Sequence, residues 1–579
     1  MEKKDYYILI LSVILISSII SSSLLYVIPC CAPRPDLAVY LRYGTGFGPA
    51  DLDPMDAWDS ASFEVQDQVC EGLFGYNYSD PEMDIIPKLA KDYGIWQGSN
   101  YTVKLREDVW FHDGTKFDAS AAKWNFDRLS YFMNNSLAKA GALFRYYDVG
   151  TQNFRYIINH TEIIDDHTLK FALNTQYGPF EALLCFNGAY MLSPTSTPKT
   201  EVIDTASGDL VGTGPFVYDD YKVGVEVKFH AWDYYWGPRA KIDKLIFSII
   251  PGTQIRNDAL LTRDIDILIS PMSLMLEAFN LNPALELINV VKSTRIGYLG
   301  INNKFINSTF RKAISYALNY SFILNQILDG HATRLRSPIP KGIRYANWIY
   351  NVADFNISKA REIMQGMGFG VGWNTTYPGS DELLWESTTF ISFNYSSLIG
   401  SYIRERVNIL LVENLRKIGI EVDEPGWCYF EPWICDPNYW EHLSNPDYYE
   451  IYFLEWIADY NDPSNYIYSL FTNRTISSNA CRYNGYLAAK EADRNPLNLW
   501  DNVQLLMEAG LIEVNKNLRK DYYYRIQQLL VEEDMPWAFC YVETNYDAWN
   551  KDLKGFPSNP MDKVYFYPCY WDNTAFYAQ

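Results

Sequence analysis

The longest uncharged run in the chain covers residues 6–29, behind Lys3 and Lys4 and ahead of Arg34. As a helix it is long enough to cross a bilayer core of about 30 Å. The basic pair on its N-terminal side predicts that everything after Arg34 is exported. No small-x-small site precedes Cys30, so a retained anchor is expected rather than a cleaved signal. Cys30 and Cys31 read as a membrane-edge pair, because Val27-Ile28-Pro29 lacks the small residue that lipidation needs. Beyond this segment the pattern is that of a globular body. Residues 37–42 predict a strand, and Gly44-Thr45-Gly46-Phe47-Gly48 an ordinary loop, with neither a phosphate-loop ending nor a full dinucleotide spacing. Residues 101–105 alternate as a strand, and Asp118 caps a helix through Ala122, Phe126 and Leu129. Residues 163–173 form a hairpin through Asp165-Asp166, with further strands at 225–229 and 244–250. In the second half, residues 310–328 carry helical spacing up to Asp329-Gly330, and 407–418 a helix that stops at Gly419 and passes into a strand at 420–422. A buried strand is expected at 449–457, then a helix through Phe471 with Asp462 as cap and Pro463 in its first turn, a helix at 522–530 and a strand at 538–542. Helices alternating with strands imply α/β sheets covered by helices, and no tandem repeat appears.

Composition narrows the class. The 579 residues allow two to four domains, and 48% apolar residues with a mean hydropathy of −0.19 exclude both wholesale disorder and a multi-span membrane protein. With 49 basic against 70 acidic residues the net charge is −21, which repels a phosphate backbone and leaves no nucleic-acid partner. Aromatic residues make up 16%, equally suited to ligand contact and to filling cores. Of the cysteines beyond residue 31, Cys428 and Cys435 lie close together in a loop rich in Pro and Trp, where export favours a disulfide. Ten Asn-x-Ser/Thr sites, where about five are expected by chance, suit a glycosylated surface; Asn319, inside the apolar helical stretch, is expected to be inaccessible.

Candidate chemistry is sparse. Asp51, Asp53, Asp56 and Asp59 lack the central Gly and twelfth-position Glu of a calcium loop and read as solvated turn carboxylates. His112 reads as a turn residue, and the six histidines form no metal motif with each other or with cysteine. No nucleophile elbow is present, so neither a catalytic residue, a metal site nor a cofactor is assigned. One segment stands out. Ala458-Asp459-Tyr460-Asn461 bridges the carboxyl end of a strand and the start of a helix, the place where open α/β sheets bind ligands. The helix N-terminus is expected to keep Asp459 ionised, either as a receptor for an ammonium group or as a cap.

Ordered blocks along about 500 residues resemble the family 5 extracellular solute-binding proteins of ABC importers. They are Leu52-Asp53-Pro54, Glu71-Gly72-Leu73-Phe74, Phe111-His112-Asp113-Gly114-Thr115, Gly212-Thr213-Gly214-Pro215-Phe216, Tyr235-Trp236-Gly237, Asp264-Ile265-Asp266, Arg311-Lys312-Ala313-Ile314, Lys417-Ile418-Gly419-Ile420 and Ala458-Asp459-Tyr460-Asn461-Asp462-Pro463. The resemblance implies a two-lobe α/β fold of the periplasmic-binding-protein type II class, hinged by two strands and preceded by the N-terminal anchor or signal. Residues 1–35 are the anchor; 36–296 with 545–579 form the first lobe, with a subdomain near 58–195; 297–544 form the second.

It further implies that Asp459 holds a peptide's α-ammonium, with Trp456, Trp427, Tyr541 and Tyr460 as further ligand-binding candidates. Departures are Glu455 where Gly is usual, Phe453 where some oligopeptide binders carry Arg, and Ile457 where some members carry a disulfide Cys. The expected function is an exported, monomeric, non-enzymatic receptor on the outer face of the cytoplasmic membrane. It closes on di- or oligopeptides and delivers them to a membrane permease. An oligosaccharide receptor of the same architecture, with Trp427, Trp456 and Tyr541 stacking on sugars, and an exported hydrolase are the alternatives.

Overall fold

The computed structural model describes residues 38–135, 143–148, 150–206, 208–290, 293–399, 402–431, 434–435, 449–474 and 479–572, with backbone alone at 290, 397–399, 402, 424–431 and 434–435. The uncharged segment at 6–29 and the Cys30-Cys31 pair lie outside the described residues, among which no helix is long and apolar enough to cross a membrane.

Two seven-stranded sheets carry the architecture. The first runs Phe216–Lys222, Glu226–Ala231, Lys244–Ile249, Tyr40–Thr45, Ile267–Ile269, Asn545–Asn550 and Leu285–Val290. Tyr40–Thr45 is parallel to both its neighbours, and the other pairings are antiparallel. The second runs Ala332–Arg334, Trp537–Glu543, Ile296–Ile301, Ile451–Trp456, Ile391–Ile399, Ile420–Glu431 and Ile434–Cys435. Its central strand Ile296–Ile301 is buried along its whole length, as fits a strand covered on both faces. Gly297 is required there, because a Cβ would come within 2.3 Å of the Tyr541 ring laid across it.

The chain passes between the sheets at two adjacent places, after Leu285–Val290 and between Glu543 and Asn545. The crossings are tied to each other: the Glu543 N–H donates to the Arg295 carbonyl at 3.1 Å, and Arg295 Nε stands 3.2 Å from Glu543 Oε2. A four-stranded antiparallel sheet (Ile95–Gln97, Asn100–Lys104, Thr168–Leu173, Ile158–Asp165) with the helix Ala119–Asn134 forms a smaller unit. Its core, with Tyr101, Phe171 and Phe180, continues into one face of the second sheet, where Tyr298 stacks on Trp537 at 3.7 Å and Phe471 lies 4.4 Å from the same indole. Much of the aromatic content is therefore core.

Capping residues set several boundaries as expected. Asp118 accepts from the Ser120 and Ala121 N–H groups at 2.8 and 2.9 Å, and Gly419, at φ +74°, ends the helix Tyr402–Arg416 before the strand Ile420–Glu431. Other expectations are corrected. The run at 310–328 is not one helix: Ser308–Ala317 ends at Leu318, and Asn319 caps a new turn, Tyr320–Phe322, by accepting the Phe322 N–H at 3.0 Å. An Asn side chain that competes for backbone N–H groups breaks what apolar spacing alone suggests. Asn319 is consequently half-buried at a cap rather than sealed in a helix. Asn307 and Asn356 are caps too, so three of the sequon asparagines serve helix starts. Asp53 is not a solvated turn residue but fully buried, with Arg128 Nη1 and Nη2 at 3.0 and 2.5 Å and the Met55 and Ile203 N–H groups also donating to it. The described cysteines Cys70, Cys185, Cys481, Cys540 and Cys569 are free and buried; the side chains of Cys428 and Cys435 lie outside the described residues.

Candidate functional site

The cleft between the two sheets holds two adjoining cavities of about 430 Å³ each, which share Ser270 and Arg295. The first is walled by the end of Tyr40–Thr45 and the loop after it, by Glu64 and Asp67 of the helix Ser60–Val69, by residues 457–459 and by residues 561–564. The second lies beside the crossings, against Ile327, His331, Glu543 and Tyr546. Strand ends and one helix face thus meet across about 400 residues of sequence.

Asp459 stands on the wall of the first cavity, half-buried. Asn465, in the first turn of the helix Ser464–Phe471, holds it: the Asn465 Nδ2 donates to Asp459 Oδ2 at 2.8 Å, and the Asp459 N–H donates to Asn465 Oδ1 at 3.2 Å. Trp456 Nε1 donates to the same Oδ1 at 3.3 Å, so one amide positions both residues. Burial raises the Asp459 carboxyl above the ordinary aspartate value, with Asn465 and Lys563 pulling it back. Desolvation of the cleft wall thus works against the charged form that the helix terminus is expected to favour. The cap is also shifted by one residue. Pro463 occupies the cap position, while Asp462 accepts the Ser464 N–H at 2.9 Å and holds Arg519 at 2.6 and 2.8 Å.

Other sequence candidates fall elsewhere. Tyr460 is buried in the core, its hydroxyl 3.3 Å from Ser464 Oγ. Tyr541 is fully buried and donates at 2.7 Å to Glu455, which is also paired with Arg404 at 2.8 Å. Trp427 lies on the strand Ile420–Glu431 opposite Ser397, and its side chain is outside the described residues. Neither Tyr460 nor Tyr541 lines the two cavities, whereas Asp459 does.

The rest of the lining was not singled out from sequence. Glu64 is pushed up to about 8 by burial, with the Tyr43 hydroxyl bond lowering it and Asp67 raising it. Asp562, at φ +53°, is raised by burial against the pull of Asn545 and Arg295, and Glu543 is pushed up to about 7 by burial against the pull of Arg295. Asp67 Oδ2 and Asp562 Oδ1 are buried without a hydrogen-bond partner. The cations are committed: Lys563 Nζ lies 3.2 Å from Asn187 Oδ1 and 3.6 Å from Asp67 Oδ2, Arg256 donates to the Ile250 carbonyl at 2.6 Å, and Arg295 pairs with Glu543. The site offers desolvated acceptors, and in the second cavity His331 Nδ1 lies 3.1 Å from the Tyr546 hydroxyl. Among the described residues, no group of three His, Cys, Asp or Glu side chains is arranged to hold a metal ion.

Comparison with known proteins follows this geometry. Residues 84–478 match the family described as "Bacterial extracellular solute-binding proteins, family 5 Middle". The heme-binding protein A of Haemophilus influenzae is 24% identical over 546 residues, covering 90% of this chain and 89% of that protein. The dipeptide-binding protein of Escherichia coli is 22% identical, covering 91% and 93%. The structure of the ABC transporter-associated periplasmic binding protein DppA from Helicobacter pylori, in complex with the peptide STSA, superposes with a TM-score of 0.69 at 21% identity, covering 93% of this chain and 98% of that one.

Proposed function

Because the chain belongs to the family 5 bacterial extracellular solute-binding proteins, we propose that it is the exported receptor of an ABC importer and captures peptides by their free amino terminus. The observation that carries the reading is Asp459: a desolvated carboxylate on the cleft wall, positioned by an amide and not ion-paired within the described residues. An α-ammonium placed there supplies the missing charge and donors. Trp456 braces that position, and Trp427 is assigned to ligand contact. Tyr460 and Tyr541 act from behind the wall. Residues 36–296 with 545–579 constitute one lobe and 297–544 the other, the cleft closing about the paired crossings. Residues 1–35 tether the receptor to the outer face of the membrane, where a permease reads the closed form.

Calorimetry with a panel of free-amine peptides, their N-acetylated forms and oligosaccharides tests the reading. Free-amine peptides bind, acetylation abolishes binding, and Asp459→Asn weakens it by about 2 to 5 kcal/mol, about 30- to 4000-fold, because the ammonium is stranded. Equal binding of acetylated peptides, binding of sugars alone, or turnover of fluorogenic peptides overturns it.

A further inference from the structure

We propose that Glu64 and Asp67 form a second cation subsite in the cavity that Asp459 also lines, which selects peptides whose first residue carries a basic side chain. The proposal rests on the peptide reading above and extends it to the class of ligand.

The two carboxylates lie three residues apart on the helix Ser60–Val69 and therefore on one face of it, and both line the first cavity. Asp67 is 5% exposed and built into the wall: its Oδ1 accepts from Asn187 Nδ2 at 3.0 Å and from the Tyr190 hydroxyl at 2.7 Å. Its Oδ2 has no hydrogen bond, and the Lys563 ammonium, at 3.6 Å, is beyond hydrogen-bonding reach. Glu64 is served by the Tyr43 hydroxyl. Two neighbouring carboxylates withdrawn from water raise each other's free energy unless cations accompany them.

The cleft does not supply enough cations. Its buried or half-buried carboxylates are Glu64, Asp67, Asp459, Asp562 and Glu543, against Lys563, Arg295 and Arg256, and Asp329 is exposed to solvent. Arg295 is paired with Glu543, Lys563 is shared between Asn187 and Asp67, and Arg256 is bonded to a backbone carbonyl. Asp459 has no ion pair among the described residues, and at the Glu64/Asp67 pair the one ammonium, Lys563, is shared with Asn187. A dicationic peptide terminus, with an α-ammonium and a lysine, ornithine or arginine side chain, offers one cation to Asp459 and one to the Glu64/Asp67 pair within the same cavity. The raised Glu64 carboxyl agrees: it is the group that an arriving cation would ionise.

The experiment is calorimetry on the full chain in detergent with the dipeptides lysyl-alanine, arginyl-alanine, norleucyl-alanine and alanyl-alanine at fixed ionic strength. Norleucine keeps most of the length and apolar area of lysine without its charge. The expected result is about 10- to 100-fold tighter binding of the lysyl and arginyl peptides, falling to less than about threefold in Glu64→Gln. Equal affinity of lysyl- and norleucyl-alanine for the wild-type protein overturns the subsite while leaving the peptide reading intact. The same holds if the preference survives unchanged in Glu64→Gln. Binding of no peptide at all overturns both. The wild-type panel decides by itself if the variant fails to fold.

Discussion

Contacts that touch neither cavity tie residues 76–84 to Asn461 and Arg344, and on the proposed lobe division they offer a sharp perturbation. Asn461 Nδ2 donates across the interface to the Glu82 and Met83 carbonyls at 3.0 and 3.2 Å, and the Asn461 N–H donates to the Tyr76 hydroxyl at 3.0 Å. Arg344 pairs with Asp84 at 2.9 Å, and the Gly178 N–H donates to the Leu511 carbonyl at 2.6 Å. If the lobes part as proposed, these contacts belong to the closed molecule alone. Asn461→Ala removes two interface hydrogen bonds worth about 0.5 to 1.5 kcal/mol each, about 1 to 3 kcal/mol of the closed state relative to the open one. If the free protein is mostly open, the apparent Kd rises by the same free energy, about 5- to 150-fold. The Asn461 bond to the Arg344 N–H lies within one side of the cleft and is lost in both states. Tyr76→Phe should act in the same direction by stranding the Asn461 N–H, whereas Asp84→Asn, removing a pair with an exposed carboxylate, should cost less than about 1 kcal/mol. Calorimetry gives Kd, and small-angle scattering with and without ligand gives the closed fraction. An Asn461→Ala protein with wild-type affinity and a wild-type scattering profile would refute the idea that these contacts bias closure.

Two further predictions concern stability. Asp462 and Arg519 are each about 5% exposed and joined bidentately; burial pushes the Asp462 carboxyl up, but the guanidinium holds it below the ordinary value. Asp462→Asn leaves Arg519 buried and uncompensated, and urea unfolding should show a loss of about 3 to 5 kcal/mol; a loss below about 1 kcal/mol contradicts the structure. Asp547, 3% exposed beside Ser558 and Asp562, is pushed up to about 7 by burial. Its folded value lies above the unfolded one, so its contribution to stability is present below about pH 4 and is lost as pH rises through about 7. Asp547→Asn should therefore flatten the fall in Tm between these limits and gain about 2 to 4 kcal/mol at pH 8. A parallel pH profile for the two proteins refutes the assignment.

What could be read from the chain alone follows from the range of the forces involved. Caps and stops at Asp118 and Gly419 act over one helical turn and are visible locally. Asp459 was legible because it lies between a strand end and a helix start that adjoin in sequence. The upward shift of its carboxyl was not, since desolvation arises from wall residues that the fold imports from elsewhere. Asp53 looked like one acidic turn residue among several until Arg128, 75 positions away, came to meet it. Glu64 and Asp67 look like the charges of a solvated helix face, and Lys563 and Arg295 lie in connections without a periodic signal. The Gly44–Gly48 loop reads as ordinary by motif, yet residues 44–47 line the cleft because a parallel strand delivers them to its carboxyl end. Only the packing of the two sheets assembles these groups.

The position of Asn545–Asn550, inside the first sheet between Ile267–Ile269 and Leu285–Val290, bears on biogenesis. A chain threaded across a membrane from its amino end delivers nearly all of that sheet about 250 residues before the strand that completes it. Until then Ile267–Ile269 presents a bare edge, a template for misassembly with other nascent chains. The second sheet waits for a late strand as well, since Trp537–Glu543 enters between Ala332–Arg334 and Ile296–Ile301. Both sheets thus close only when the adjoining strands Trp537–Glu543 and Asn545–Asn550 arrive, so a translation product cut short before residue 537 should be a substrate for quality-control proteases rather than a half-functional receptor.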